Sequence, residues 1–474
     1  MCLVLCVSLT AGPADAKDDR STPATPLLES VDDPYDPYRG MELDGRIPKV
    51  DKSAYVSDPE KWRYVPEGRI KPGNFFQRFL VSSFVVPLVF TNSDIGTGLG
   101  LALTDIDFRK QRRREFLGGF FSYTTEGQQS YVLVWRRWLK HLDLPQGGIL
   151  QEERSFLRVG GGYRKTLTRR FFGIGPSTKE SDETSFTDEI AFLDVGLSMS
   201  LDPVEGIEWI EPFPGAFADI VFDVGLLGEG HWLASGRVSG VPSTNDPLPD
   251  PPDPLAVRGF PGLFREADGI GLGWLRAGVR WDTRDSQRNA YRGSAVGVGV
   301  DAALAQSKGR VGAIYTLFAD KVFPIWPVFH DGGSEGEEHP PTDTLAMHFE
   351  TRLSSGDLPF FARPSLGGNR HLRGFIAGRF RDDATWIAAA EYRFWVIPRG
   401  FTVWRHIRVE RIGAAVFYEV GGVGADLGRF FHERVRQSYG VSARATIERT
   451  AIFRADFGFS SEGLNFSAGF GLAF

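Results

Sequence analysis

Leu464-Asn465-Phe466-Ser467-Ala468-Gly469-Phe470-Gly471-Leu472-Ala473-Phe474 separates into two faces when read alternately. Leu464, Phe466, Ala468, Phe470, Leu472 and Phe474 fall on one side, and Asn465, Ser467, Gly469, Gly471 and Ala473 on the other. A period of two predicts a strand. A strand this apolar on one side, with small and polar residues opposite, suits a sheet that has lipid outside and water inside. Its eleven residues match the 9 to 11 that a tilted strand needs to cross the hydrocarbon. Phe470, Leu472 and Phe474 then form a C-terminal strand signal on the lipid side.

The same division recurs upstream. Phe453, Ala455, Phe457 and Phe459 alternate with Arg454, Asp456, Gly458 and Ser460; Leu193, Val195 and Leu197 alternate with Asp194, Gly196 and Ser198. Charge sits on one face only. A soluble sandwich also alternates, its apolar face turned to a core shared by two sheets, so alternation alone leaves that fold open.

Composition favours the membrane. The 474 residues include 38 phenylalanines, 11 tryptophans and 56 glycines. Lipid-facing strands and their interfacial girdles use aromatics, and closely paired strands accept glycine. No run of eighteen apolar residues exists to make a helical span. A net charge of -6 and a pI near 5.9 argue against a nucleic-acid partner. Residues 1–16 read as a signal peptide, with an apolar stretch from Cys2 to Leu9 and the small-residue site Ala14-Asp15-Ala16. No basic residue precedes that stretch, so the leader is expected to be truncated. Residues 17–74 are proline-rich without a sustained period and predict an extended periplasmic segment. Residues 75–474 are expected to be the barrel.

Sixteen strands are predicted there, including 154–165, 186–200, 214–228, 344–354, 386–396, 410–419, 450–460 and 464–474. The fold class is thus all-β: a 16-stranded antiparallel transmembrane β-barrel. An even count puts both ends on the periplasmic side, so long connections at 166–185, 229–271, 355–385 and 420–435 face outside. The segment 321–343 falls on the inner side despite its length.

Leu366-Gly367-Gly368-Asn369-Arg370-His371-Leu372-Arg373-Gly374-Phe375, followed by Phe380, Asp382 and the strand residues Glu391-Tyr392-Arg393-Phe394, resembles the signature of the outer-membrane assembly and translocation superfamily typified by BamA and TamA, the bacterial surface antigen family. Trp281-Asp282-Thr283-Arg284-Asp285 with Gly293, and Arg454-Ala455-Asp456-Phe457-Gly458, resemble further segments of it. Where family members commonly place a proline before that glycine, this chain has Ala290 and Tyr291. The resemblance implies that Gly367, Gly368, Arg373, Gly374 and Phe375 form a latch on the sixth external loop, folded inward against acidic groups of the wall. By the strand count 355–385 is the sixth, and by alternation Glu391, Glu419 and Asp456, with Arg454, face inward as lumen partners. Val257-Arg258-Gly259-Phe260 lacks the preceding glycine pair and reads as a turn in a proline-rich loop. Family members carry periplasmic polypeptide-binding domains for which 17–74 is too short, so that segment is not expected to capture a substrate as those domains do.

Outer-membrane hydrolases pair a histidine with a serine; no His-x-Ser spacing occurs here, and His348 on an inner face suits a lumen hydrogen bond. Neither enzymatic activity, a cofactor nor a metal is expected. The resemblance implies a protein of the bacterial outer membrane that assists insertion or translocation of polypeptide, or moves lipid. Its partners would be outer-membrane lipid and an unfolded polypeptide client; the oligomeric state is open. The alternative is a passive channel or structural barrel, with Asp194, Asp219, Asp223, Arg280, Asp282, Glu350 and Arg352 lining a water path.

Overall fold

A computed structural model describes residues 62–65, 83–92, 94–105, 114–143, 149–201, 219–247, 259–287, 289–309, 311–330, 332–333, 340–404, 407–426, 428–429, 433–447 and 451–474. The expected leader at 1–16 and nearly all of the 17–74 segment lie outside these residues.

Sixteen antiparallel strands make the wall, as the alternation predicted. The first eight are β1 (Ser83–Asn92), β2 (Gly96–Asp105), β3 (Glu115–Thr124), β4 (Gln129–Trp138), β5 (Phe156–Phe171), β6 (Thr184–Ser200), β7 (Ile220–Ser235) and β8 (Ile270–Asp282). The second eight are β9 (Gly293–Gln306), β10 (Gly312–Ile325), β11 (Asp343–Gly356), β12 (Ala384–Ile397), β13 (Ile407–Gly424), β14 (Arg436–Ile447), β15 (Ala451–Ser460) and β16 (Gly463–Phe470). Each pairs with its successor from β1 to β16, and the sheet curls into a barrel. A small separate sheet joins 62–65, 141–143 and 149–152.

The two faces of each strand separate as their chemistry demands. Leu193, Val195 and Leu197 on β6, Phe222, Val224 and Leu226 on β7, and Leu464 and Phe466 on β16 are exposed on the outside. Their polar neighbours point in and pair: Arg158 meets Asp194 at 2.7 Å, and Arg276 meets the same carboxylate at 3.5 Å. No helix among the described residues is long and apolar enough to cross a membrane; the apolar outer belt belongs to strands.

Several strand boundaries are corrected, β5 among them, which runs to Phe171 rather than 165. The seventh strand runs Ile220–Ser235 rather than 214–228. Its upper part, Glu229 to Ser235, pairs with 186–192 of β6, where the ladder continues after the lipid-type alternation has faded. The last strand ends at Phe470 rather than 474. Gly471 has φ +80°, and the chain leaves the sheet there. Leu472 and Phe474 are therefore not on a lipid-facing strand. The Phe474 carbonyl accepts a bond from Arg393 Nη2 at 3.0 Å, and its ring stacks on His348 at 5.0 Å. The polar cationic wall of β12 and the imidazole of β11 offer that ring and carbonyl partners that acyl chains cannot.

The connections 172–183, 236–269 and 357–383 share one end. Phe171, Phe186, Phe264 and Phe360 pack there as an apolar cluster. Phe260, from the second Arg-Gly-Phe, meets Phe171 edge-on at 4.9 Å and precedes a short helix Pro261–Ala267, while Arg258 lies outside the described residues. The connection 326–342 lies at the opposite end, as the strand count requires.

Candidate functional site

The connection 357–383 after β11 is the sixth on its side, and its sequence folds it back on itself. Ser365–Leu366 pairs with Phe380–Arg381 as a two-rung ladder. Within it Gly367 and Gly368 take φ +105° and +112°, and a Cβ on Gly367 would lie 2.2 Å from the Ile376 carbonyl oxygen. Only glycine fits that turn. The Gly368 amide donates to the Phe375 carbonyl at 3.0 Å and closes the tip. Leu366, Leu372, Phe375 and Phe380 pack on Ile387 and Val423 of the wall, so the tip is held by apolar burial as well as by charge.

Arg373 is fully buried. Its Nη1 lies 2.8 Å from Glu391 and 3.2 Å from Asp456, and its Nε lies 2.8 Å from Glu419. The backbone amide of Arg373 also donates to Glu419 at 2.6 Å. The guanidinium lies over the Phe417 ring at 3.5 Å. Burial acts to lower its pKa, and Glu419, Glu391 and Asp456 outweigh that and hold it above the ordinary value. A guanidinium is suited to this site because its planar fork serves several carboxylates at once.

The expected partners are thus gathered from three strands: Glu391 from β12, Glu419 from β13, and Arg454 and Asp456 from β15. Arg454 approaches Asp456 at 3.1 Å and donates to the Asn369 carbonyl at 2.6 Å, tying the other edge of the loop. Gly374 donates its amide to Ser438 Oγ at 3.0 Å and accepts from Ser460 Oγ at 2.8 Å. Gly458 leaves room for this approach, since a Cβ there would lie 2.6 Å from the Arg373 carbonyl carbon.

Several residues of the site were not anticipated. Arg393 and Arg444 both pair with Glu391, so four guanidiniums surround three carboxylates. Asn465 Nδ2 donates to the carbonyls of Arg373 at 2.8 Å and Phe375 at 3.1 Å. Arg379 meets Glu462 at 2.7 Å and donates to Thr178 Oγ1 at 3.1 Å. Asn465 stood on the polar face of the last strand, which was its only sequence signal. Leu472 and Phe474 are not among the described partners of Arg373, and the side chain of Phe470 lies outside the described ones.

No family model matches the sequence, and no curated protein does. Among solved structures, BamA from Haemophilus ducreyi lacking POTRA domains 1-3 is similar with a TM-score of 0.46 and 13% identity, covering 82% of this chain and 70% of that one. CdiB from Acinetobacter baumannii is similar with a TM-score of 0.43 and 10% identity, covering 82% of this chain and 58% of that one. By its own strand pairing and outer belt, the chain is a sixteen-stranded antiparallel transmembrane β-barrel whose sixth loop sets a buried arginine against the inner wall.

Proposed function

We propose that this protein is an outer-membrane barrel of the BamA and TamA type that assists insertion or translocation of a polypeptide, or moves lipid. One observation carries the reading. The sixth loop is bonded both to the wall strands β12 to β15 and, through Asn465 and Glu462, to β16 and the turn before it. The last strand of the sheet is thereby held by the same loop that carries Arg373. Releasing Arg373 would loosen β16, and an edge strand can template a client strand by backbone pairing.

The test is a reconstitution. The purified protein is placed in phospholipid vesicles with an unfolded outer-membrane barrel polypeptide, and folding of that polypeptide into the bilayer is timed. Faster folding than in empty vesicles, altered in Arg373→Ala, supports the reading. An equal rate in both, together with no transbilayer movement of a labelled phospholipid, overturns it.

A passive channel is the second reading. It is favoured by the charged wall away from the loop, where Arg276 lies 3.5 Å from Asp194 and 3.9 Å from Asp301 with its side chain still partly exposed.

A further inference from the structure

We propose that His348, Glu350 and His371 form a binding site for a divalent transition metal, with zinc as the ion that suits it best. His348 and Glu350 are alternate inward residues of β11, and His371 comes from the loop tip, two positions before Arg373. One ligand atom from each lies within 4.8 Å of the others. His371 Nε2 is 3.5 Å from a Glu350 oxygen, and the two imidazoles are parallel at 6.3 Å between centroids.

The state of His348 points to a ligand. Its side chain is only 8% exposed, and its Nε2 has no hydrogen-bond partner. Its Nδ1 is 2.6 Å from Asp320 Oδ1. A carboxylate on one ring nitrogen orients the imidazole and leaves the other nitrogen to bind metal, the usual support of a ligating histidine. The Phe474 ring stacks on His348 and holds the plane from a second direction. An unsatisfied buried nitrogen is costly, and a metal would satisfy it.

Two imidazoles and one carboxylate are a donor set that zinc accepts, with ligands at about 2.0–2.1 Å and a fourth position left open. Tetrahedral ligand atoms at that radius stand about 3.4 Å apart, so the cluster must close. His371 closes the distance by turning its side chain about a backbone that the tip holds, while the His348 ring is fixed by Asp320. Arg352 lies 2.9 Å from Glu350 Oε1 with its side chain 39% exposed; it yields that oxygen by turning outward. Asp320 also faces Arg284 at 3.5 Å. The bound ion would clasp the loop to β11, a strand that the Arg373 latch does not reach. Metal binding here is separate from any transport activity.

The whole protein, purified in detergent, is stripped with a chelator, dialysed and titrated with Co(II), whose visible absorption reports four- or five-coordinate binding; Zn(II) is then added. The expected result is saturation at one Co(II) per chain, displacement by Zn(II), and loss of affinity of at least about tenfold in His348→Ala and His371→Asn. Asp320→Asn should weaken binding about 10-fold or more while the protein keeps its heat-modifiable gel mobility. Failure of the unmutated protein to bind stoichiometrically overturns the proposal whatever the variants do. An unchanged Co(II) spectrum in His371→Asn, whose substitution lies on a loop tip outside the wall, overturns it equally.

Discussion

Arg373 makes its contacts in a place where water cannot replace them. Removing one partner of a buried pair leaves uncompensated charge, a loss of roughly 3–5 kcal/mol. Arg373→Ala, which takes the guanidinium from Glu419 and leaves Asp456 to Arg454 alone, should lower the urea midpoint of unfolding in detergent by a corresponding amount. Arg373→Lys should recover only part of it, because an ammonium cannot serve three carboxylates as a planar fork does. Asp285 offers a second test, in the turn between β8 and β9. Burial pushes its carboxyl up to about 7, against bonds from the Arg292 and Tyr291 amides that favour ionisation. The folded state therefore keeps a proton that the unfolded chain has lost, and stability from this group falls as pH rises from about 4 to about 7. Asp285→Asn should flatten that slope, read from unfolding midpoints across the window; an identical slope in both proteins refutes the assignment. Glu391, Glu419 and Asp456 were legible in the sequence because strand alternation fixes which way a side chain points. His371 was not, since a loop residue has no such rule and its partners lie 21 and 23 positions back at Glu350 and His348.

Strand β15 shows how one small residue seats a whole loop. A side chain at Gly458 would collide with the Arg373 backbone, so Gly458→Val should expel the tip while every charged partner remains. The unfolding midpoint should drop as in Arg373→Ala, and adding Arg373→Ala to Gly458→Val should cost little more; full additivity contradicts the contact. The strands of the wall were legible where lipid imposes a period of two. Legibility failed at their outer ends. β5, β6 and β7 have 16, 17 and 16 residues, beyond the 9 to 11 that hydrocarbon requires, and above it neighbouring strands rather than lipid decide where pairing stops. The last strand misled for a different reason: its apolar alternation continues past Gly471, but a glycine in the left-handed region redirects the backbone, and Phe474 finds partners inside.

Across the molecule, one continuous sheet turns an apolar surface outward and folds its paired charges inward. The strand number and the place of the sixth loop followed from the alternation, and the glycine pair of its latch from the family resemblance. The apolar cluster at one end followed from neither, because Phe264 and Phe360 reach from separate connections to Phe171 and Phe186 at the ends of β5 and β6. Such a barrel should migrate as a compact band in SDS until heated, and Arg373→Ala should convert at a lower temperature. The most direct test of a latched, occupied lumen is single-channel conductance in planar bilayers, compared between the unmutated protein and Arg373→Ala. A small, flickering conductance that grows on loss of the arginine is predicted; a large, steady conductance identical in the two proteins would contradict it.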